Sequence, residues 1–296
     1  MLELIDVTKE YRGGKRAVDG MTLRLGAGLV GLLGPNGAGK SSLMRIAATV
    51  TRPTSGRVLF EGADAVSDPS ALRRNLGYLP QDFGVYPNLT AREFLVYLAA
   101  AKGLSRRSAR ARIDELLETV NLTGAAKRPL GGYSGGMLRR VGIAQALLSD
   151  PKVIIVDEPT AGLDPQERAR FRTMLADLAA DRVVMLSTHI VSDIESAASD
   201  IAIVAGGRLL RRGAPGELTR TQRGRVWELH AAPAEADAVR ARHLVARMMR
   251  TADGVHLRVI ADAPPAAGAR PAEPDLEDVY LALLHAPAGF AAGGVR

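Results

Sequence analysis

Eight consecutive residues near the N-terminus have the types and the spacing that are needed to hold a chain of phosphate groups. Residues 34–41 are Gly-Pro-Asn-Gly-Ala-Gly-Lys-Ser, which fits the pattern G-x-x-x-x-G-K-[ST]. Glycine allows backbone angles that a Cβ atom would forbid, so successive amides of such a loop can turn towards one anion. Lys40 would reach the β- and γ-phosphates, and the hydroxyl of Ser41 would bind Mg²⁺. The predicted nucleotide-binding residues are Gly34, Pro35, Asn36, Gly37, Ala38, Gly39, Lys40, Ser41 and Ser42.

Two adjacent acids follow a second apolar run. Residues 153–156 are Val-Ile-Ile-Val, and Asp157 and Glu158 come directly after them. In enzymes with such a phosphate loop, an aspartate at this place holds Mg²⁺, and the next acid can orient or deprotonate the attacking water. Two acids at a strand end are often no more than a solvated pair. The phosphate loop in the same chain favours the functional interpretation.

A second glycine-rich segment precedes a predicted helix. Residues 130–137 are Leu-Gly-Gly-Tyr-Ser-Gly-Gly-Met, so small residues and a hydroxyl stand at the start of that helix. The amides at a helix N-terminus suit an anion. Taken alone, the segment is equally typical of an ordinary N-cap with flexible glycines.

Strands and helices predicted around these segments would bring them together. An apolar run at residues 29–33 precedes the phosphate loop and predicts a buried strand, and a helix is predicted after the loop. Further strands are predicted at residues 2–7, 21–25, 58–60, 76–79, 153–156, 183–186 and 201–204. Helices are predicted after a capping box of Thr90 and Glu93, around residues 113–120, after Ser134, and after an N-cap at Asp164. The alternation predicts an α/β core with a parallel-rich sheet, interrupted by a helical insert.

The pattern changes after residue 207. Strands predicted at residues 226–230 and 255–260 flank a helix predicted near residues 235–243. Residues 264–274 are rich in proline and predict a linker, and residues 275–284 predict a last amphipathic helix. The Ala- and Gly-rich residues 286–296 are predicted to form a disordered tail.

The composition excludes several classes of protein. The 296 residues include no cysteine, so a disulfide framework and a thiolate metal site are both excluded. No run of 18 apolar residues occurs, so no transmembrane helix is predicted, and acids within the apolar start of the chain argue against a signal peptide. These features predict a cytoplasmic protein. The net charge of +7 would also suit nucleic acid or an anionic membrane, and alone it decides little.

The order and spacing of these motifs resemble those of the ATP-binding cassette (ABC) ATPases over about residues 1–216. The resemblance implies that residues 34–41 are the Walker A loop and residues 153–158 the Walker B strand. Glu158 would then be the catalytic glutamate, and Asp157 would bind Mg²⁺. The implied signature residues, which contact ATP held by a second cassette, are Ser134, Gly135 and Gly136.

Four more residues take a role from the same resemblance. Tyr11 would stack on the adenine ring, and Asp164 would belong to the D-loop of residues 161–164. Gln81 would bind Mg²⁺ together with Ser41 and Asp157, and would take part in catalysis. His189 would be the switch histidine, a third catalytic residue beside Glu158 and Gln81. One departure is that the signature has Tyr133 and Met137 where the family usually has leucine and glutamine, and a thioether cannot supply the hydrogen bonds of an amide.

The implied fold is α/β, a P-loop NTPase core of the ABC ATPase type with a mixed, parallel-rich sheet. A helical signature subdomain would occupy about residues 88–150 within an ATPase domain of residues 1–216. Residues 217–285 would form a small α+β C-terminal accessory region.

The resemblance also implies a function. The chain would be the ATP-binding and ATP-hydrolysing subunit of a transporter, with Mg²⁺ as cofactor, and would close as a homodimer or heterodimer against a separate transmembrane permease. It would be cytoplasmic, peripheral on the inner face of the cell membrane. Residues 133–140 and 275–280 are similar to drug and polyketide exporters, which favours export over an importer subunit. A nucleic-acid-associated ABC ATPase of repair or translation is the other alternative. With a single cassette and no cysteines for zinc modules, no nucleic-acid partner is expected.

Overall fold

Strands and helices follow one another along nearly the whole chain in the computed structural model, which describes residues 1–160 and 163–285. The strands are β1 (Leu2–Glu10), β2 (Arg16–Leu25), β3 (Gly28–Leu33), β4 (Ser55–Phe60), β5 (Ala63–Asp64), β6 (Leu76–Leu79), β7 (Val153–Asp157), β8 (Val183–Thr188), β9 (Asp200–Ala205), β10 (Arg208–Gly213), β11 (Val226–Ala231), β12 (Leu244–Thr251), β13 (Gly254–Ile260) and β14 (Arg270–Pro271). The α-helices are α1 (Lys40–Ala47), α2 (Ser70–Arg74), α3 (Ala91–Ala101), α4 (Arg106–Thr119), α5 (Gly135–Ala146), α6 (Pro165–Leu178), α7 (Pro215–Arg220), α8 (Pro233–Arg242) and α9 (Leu276–His285).

The chain divides into two compact units, the first being Met1–Leu209 and the second starting at Leu210. This division falls inside β10. The domain limits expected from the sequence, residues 1–216 and 217–285, remain our proposal for the functional division of the chain.

The central sheet of the first unit has the strand order β10-β9-β3-β8-β7-β6, and its five strands from β9 to β6 run parallel. All residues of β7 and β8 are buried, as expected for strands that are covered on both faces and that therefore have uninterrupted apolar runs. Leu33 pairs with Thr188, and Asp157 pairs with Ser187. The carboxyl ends of β3, β7 and β8 therefore meet at one edge, and the predicted parallel-rich sheet is confirmed.

A second sheet of the same unit is antiparallel, in the order β2-β1-β4-β5. Its inward side chains share one apolar core with α1 and with the central sheet, and Leu4, Leu23, Leu43 and Met185 are all fully buried there. This packing fixes the end of β1 and therefore the place of Tyr11 directly after it.

Helices α3, α4 and α5 form the predicted helical insert. The Thr90 capping box is confirmed, because the Thr90 side chain accepts from the amide of Glu93 while the Glu93 carboxylate accepts from the amide of Thr90. Helix α5 packs closely under β6, where a Cβ at Gly142 would lie 2.6 Å from a methyl group of Leu79. The predicted N-cap at Asp164 is also confirmed, with its side chain accepting from the amide of Glu167 at 2.8 Å.

The second unit has an antiparallel sheet in the order β12-β13-β11-β14, with the cluster of Leu229, Val239 and Leu257 between the sheet and α8. On the sheet's other face, Arg258 donates to the fully buried Asp278 of α9, at 2.7 Å for the shortest contact. This hydrogen-bonded carboxylate raises the pKa of Arg258.

Several expectations for the second unit were incomplete or wrong. Strand β12 and helix α7 were not predicted, and α8 ends at Arg242, one residue before the predicted limit. The predicted linker at residues 264–274 contains β14, because Arg270 and Pro271 pair with β11. The predicted tail, residues 286–296, lies outside the described residues. Within the described ranges, no helix is both long and apolar enough to cross a bilayer.

Candidate functional site

The phosphate loop joins β3 to α1, and two of its glycines leave no room for a Cβ atom. Gly39, the N-cap of α1, has a φ of 98°, and a Cβ there would lie 2.1 Å from the carbonyl oxygen of Ala17. A Cβ at Gly34 would lie 2.3 Å from the carbonyl oxygen of Val204. No side chain caps the start of α1, so its first amides are free to face an anion at the positive end of the helix.

The side chain of Lys40 is folded back over this loop. Its Nζ donates to the carbonyl oxygens of Gly34 at 2.6 Å and Pro35 at 3.3 Å. The same Nζ lies 3.3 Å from Oε1 of Glu158, and the side chains of both residues are less than a tenth exposed. The predicted phosphate-binding lysine and the predicted catalytic glutamate are therefore direct neighbours.

Glu158 links this lysine to the end of the next strand. Its second carboxylate oxygen, Oε2, lies 2.9 Å from Nδ1 of His189, which follows β8. The backbone of Glu158 has a φ of 48°, which is uncommon for a residue with a Cβ. Its amide donates to the side chain and the carbonyl of Ser187, at 3.0 and 3.2 Å. Adjacent parallel strands thus place Glu158 and His189 side by side.

Asp157 lies behind Glu158 and is almost completely buried. Its Oδ1 accepts a 2.5 Å hydrogen bond from the hydroxyl of Ser187. Burial and, next, the charge of Asp157 raise the pKa of the Tyr78 phenol on β6. A carboxylate at this depth needs such hydrogen bonds, and a cation can add to them.

One open cavity brings most of the predicted site residues together. It is lined by Tyr11, Pro35, Asn36, Gly37, Ala38, Gly39, Lys40, Ser41, Ser42, Gln81, Glu158 and His189, and by Arg12, Lys15 and Ala17. The Tyr11 ring is partly exposed, and its hydroxyl lies 3.2 Å from Oγ of Ser42. An aromatic ring, a glycine loop, three basic side chains and a carboxylate thus face one space.

The remaining predicted residues, Gly34 and Asp157 among them, do not line this cavity. Ser134 is the N-cap of α5 and accepts from the amide of Met137 at 3.2 Å, and neither it, Gly135 nor Gly136 lines this cavity. Asp164 caps α6 and is likewise outside the cavity lining. The D-loop residues 161 and 162 lie outside the described residues.

Sequence reasoning missed several residues of the site. Arg12 and Lys15 lie in the turn after Tyr11, where two basic residues around a Gly-Gly pair were a usable signal. Ser187 was also missed. Its hydroxyl lies near the end of β8, and parallel pairing of β8 with β7 would have placed it beside the acid pair. Arg139 was missed for a different reason: within the described ranges, its guanidinium donates to backbone carbonyls of residues distant in sequence, at Gln81 and Glu158 among others.

Comparisons with known proteins identify the family of this chain. Residues 18–161 match the family model described as ABC transporter. The daunorubicin/doxorubicin resistance ATP-binding protein DrrA of Streptomyces peucetius is 39% identical over 243 residues, which are 81% of this chain and 73% of that protein. The uncharacterized ABC transporter ATP-binding protein YxlF of Bacillus subtilis (strain 168) is 38% identical over 77% of this chain and 76% of its own length.

Solved structures are also similar. A structure described as the ATP-binding subunit of an ABC transporter has a TM-score of 0.68 at 29% identity, over 75% of this chain and 92% of that one. The MJ0796 cassette, described as a dimer in a post-hydrolysis state bound to ADP and Pi, has a TM-score of 0.67 at 28% identity and covers 72% of this chain and 98% of its own. From the relatives' identity and coverage, this chain belongs to the ABC transporter family as an ATP-binding subunit, and it is an ATPase of that family.

Proposed function

We propose that this chain hydrolyses ATP at the cavity described above and thereby drives export through a separate permease. The observation that carries the proposal is the convergence of Lys40, Gln81, Glu158 and His189 with the phosphate loop on one cavity. The names of similar proteins support export. DrrA of Streptomyces peucetius is named as a daunorubicin/doxorubicin resistance ATP-binding protein, and BcrA of Bacillus licheniformis is named as a bacitracin transport ATP-binding protein. The permease would select the cargo.

Binding of the triphosphate would use the loop amides and Lys40. Since Nζ of Lys40 already contacts two loop carbonyls and Glu158, phosphate oxygens would compete with Glu158 for this cation. The adenine ring would stack on Tyr11, and Arg12 and Lys15 would add positive charge beside the nucleotide. Ser42, in the first turn of α1, would help to hold the phosphate.

Hydrolysis would use Glu158 to orient the attacking water and to accept its proton. The carboxylate is held on one side by Lys40 and on the other by Nδ1 of His189. Gln81, from the loop after β6, lines the same cavity and would position the water and the γ-phosphate region. Holding the base within reach of one water is what makes such a step fast.

ABC ATPases use ATP with a divalent metal ion, and we propose Mg²⁺ for this chain. The residues fit such an ion, because Ser41, Gln81 and Asp157 each offer an oxygen ligand, which Mg²⁺ prefers. Ser41 and Gln81 line the cavity, while Asp157 is buried and directly precedes the lining residue Glu158. The ion would neutralise charge on the phosphates.

We propose a second cassette, identical or not, as the first partner. Ser134, Gly135 and Gly136 do not face this chain's own cavity, so their proposed contact with ATP needs a second copy. The dimeric MJ0796 cassette supports this arrangement. The heterodimer remains an option within the proposal, and nucleic acid is not a proposed partner.

A membrane permease is the second proposed partner, which would hold the chain at the cytoplasmic face of the cell membrane. An aromatic group is formed by Phe83 and Tyr86, which follow Gln81, and by Phe94 and Tyr97 of α3, and these rings make successive edge contacts. Tyr86 and Tyr97 are more than half exposed, which is unusual for neighbouring aromatic rings on one surface. We propose this surface as the docking site of the permease.

The test combines ATP-dependent dimerisation with membrane retention. Glu158→Gln should accumulate as an ATP-bound dimer in size-exclusion chromatography, because nucleotide binds while water activation fails. Wild-type protein should be retained by membranes only when a cognate permease is co-expressed, and Tyr86→Ser should weaken that retention without changing ATP binding. A Glu158→Gln protein that hydrolyses ATP at the wild-type rate would disprove the catalytic assignment. Retention that is independent of the permease would disprove the coupling.

A further inference from the structure

The guanidinium of Arg139 on α5 uses its full set of hydrogen-bond donors on backbone carbonyls. Nε donates to Pro159 at 3.1 Å. One terminal nitrogen donates to Pro80 at 3.2 Å and Gln81 at 2.9 Å, and the other donates to Asp157 at 2.6 Å and Glu158 at 2.5 Å. Arginine has five N–H donors, and lysine has three, so no other side chain can bond all five carbonyls.

These carbonyls belong to the two segments that carry Gln81 and Glu158 into the cavity. For Glu158, the bond from Arg139 holds the carbonyl, and Ser187 holds the amide. The peptide groups on both sides of its Cα are therefore fixed. This explains how Glu158 keeps a φ of 48°, since a left-handed backbone at a non-glycine residue persists only where its surroundings determine it.

Arg139 also connects this region to the signature segment. It lies in α5, whose N-cap is Ser134, so one helix carries both the signature and the arginine. Burial lowers the pKa of Arg139, while the charges of Asp157, Glu158 and Asp82 raise it, and the guanidinium remains protonated. Among the described residues, this partly buried cation faces carbonyl dipoles and has no carboxylate at hydrogen-bond distance, so it binds backbone rather than forming a conventional ion pair.

We propose that Arg139 is a positioning residue for ATP hydrolysis, which holds Glu158 and Gln81 in place from the signature helix. The inference rests on the proposed catalytic role of Glu158. Arg139 does not itself line the cavity, and it contacts the lining residues Gln81 and Glu158 through their backbone carbonyls, so its effect on turnover acts through the backbone of the two segments. Any displacement of α5 would therefore move both the segment that carries Gln81 and the segment that carries Glu158.

The test compares Arg139→Met with a matched arginine. Arg112 on α4 is also partly buried, donates to the carbonyl of Leu147 at 3.1 Å and to Glu115 at 2.8 Å, and lies outside the cavity lining. Arg139→Met should lower kcat by about 10- to 100-fold, while KM for ATP changes by less than about threefold, because misplacing a catalytic group mainly slows the chemical step. Like Glu158→Gln, it should accumulate an ATP-bound dimer. Arg112→Met should keep kcat within about twofold.

A double variant shows whether Arg139 acts through Glu158. In single-turnover hydrolysis, adding Arg139→Met to Glu158→Gln should cause less than about a threefold further loss, since the base that it positions is already removed and only its hold on Gln81 is left. An equal loss in both backgrounds would overturn the proposal, as would a wild-type kcat in Arg139→Met. Arg139→Lys keeps the charge and three donors, so its kcat should lie between those of Arg139→Met and the wild type. If Arg139→Met does not fold, Arg139→Lys replaces it in the same two comparisons. If Glu158→Gln itself turns over normally, the proposed function fails instead.

Discussion

The ion pair of Lys40 and Glu158 allows a quantitative test of the electrostatics of the site. The two charges are 3.3 Å apart, and both side chains are less than a tenth exposed. The perturbation is the pair of variants Lys40→Met and Glu158→Gln, each of which removes one charge with little change of volume, together with the double variant.

The geometry sets the expected magnitude. At this separation and an effective dielectric constant of about 20, the attraction of the two charges is about 5 kcal/mol. Part of this is offset by the cost of removing both charges from water. Each group also keeps other partners, since Lys40 retains two carbonyls and Glu158 retains His189. We therefore expect a coupling free energy of about 1–3 kcal/mol in the unfolding of protein without added nucleotide.

The same pair predicts a change in ATP affinity. A γ-phosphate must compete with Glu158 for Lys40, and Glu158→Gln removes the competitor. If the pair contributes about 2 kcal/mol, Glu158→Gln should bind ATP up to about 30-fold more tightly, because about 1.4 kcal/mol corresponds to a factor of ten. Glu158→Gln also removes the charge repulsion between Glu158 and the phosphates, and this loss tightens ATP binding further.

Urea unfolding of the four proteins measures the coupling, and calorimetric titration of ATP in excess EDTA measures the affinity without turnover. Titrating Lys40→Met serves as the control, since it should bind ATP more weakly than the wild type. A coupling within about 0.3 kcal/mol of zero, together with unchanged ATP affinity in Glu158→Gln, would show that the two charges do not interact in solution.

Two further predictions test the phosphate loop and the helical insert. Gly39→Ala should abolish ATP binding, because the new Cβ would meet a backbone carbonyl at 2.1 Å. Gly62→Ala is the control, since Gly62 has a φ of 83° and open space around it. This variant should lose about 1–2 kcal/mol of stability and bind ATP as the wild type does. Equal ATP affinity in these two variants contradicts the first prediction. Hydrogen bonds from the Thr90 backbone and side chain lower the pKa of Glu93 below its ordinary value of 4.5. The ionised Glu93 side chain therefore stabilises the fold fully above pH 4.5, and this stabilisation declines as the pH falls through the lowered pKa. The difference in Tm between wild type and Glu93→Gln should therefore be present at neutral pH and vanish in acid, and a constant difference argues against it.

The local parts of this molecule could be predicted from its sequence. The strand, loop and helix around Lys40 were predictable because glycine and lysine spacing reports backbone geometry within a few residues. The Thr90 capping box was predictable for the same reason, since its two hydrogen bonds join residues three apart. The convergence of Glu158 and His189 followed from parallel strands whose carboxyl ends meet.

Parts that depend on distant neighbours were not predictable. Strand β12 carries Arg247, Met248, Met249 and Arg250, all exposed, so it shows no alternation and forms only because β13 pairs with it. Arg139 is an ordinary basic residue on a helix in the sequence, while its acceptors are up to 59 positions away. The pairing of Lys40 with Glu158 depends equally on tertiary packing that no local pattern records.

The position of Ser134 outside its own chain's cavity has a consequence for mixtures of chains. Under the proposed arrangement, each of the two sites in a dimer takes its phosphate loop from one chain and its signature from the other. If wild-type and Glu158→Gln chains pair at random in equal amounts, about half of the dimers are mixed and about a quarter are fully wild type. Each mixed dimer keeps one intact site, because its wild-type Glu158 meets the unaltered signature of the variant. The transport rate of the mixture, about half or about a quarter of the wild-type rate, then tells whether the two sites work independently or only together.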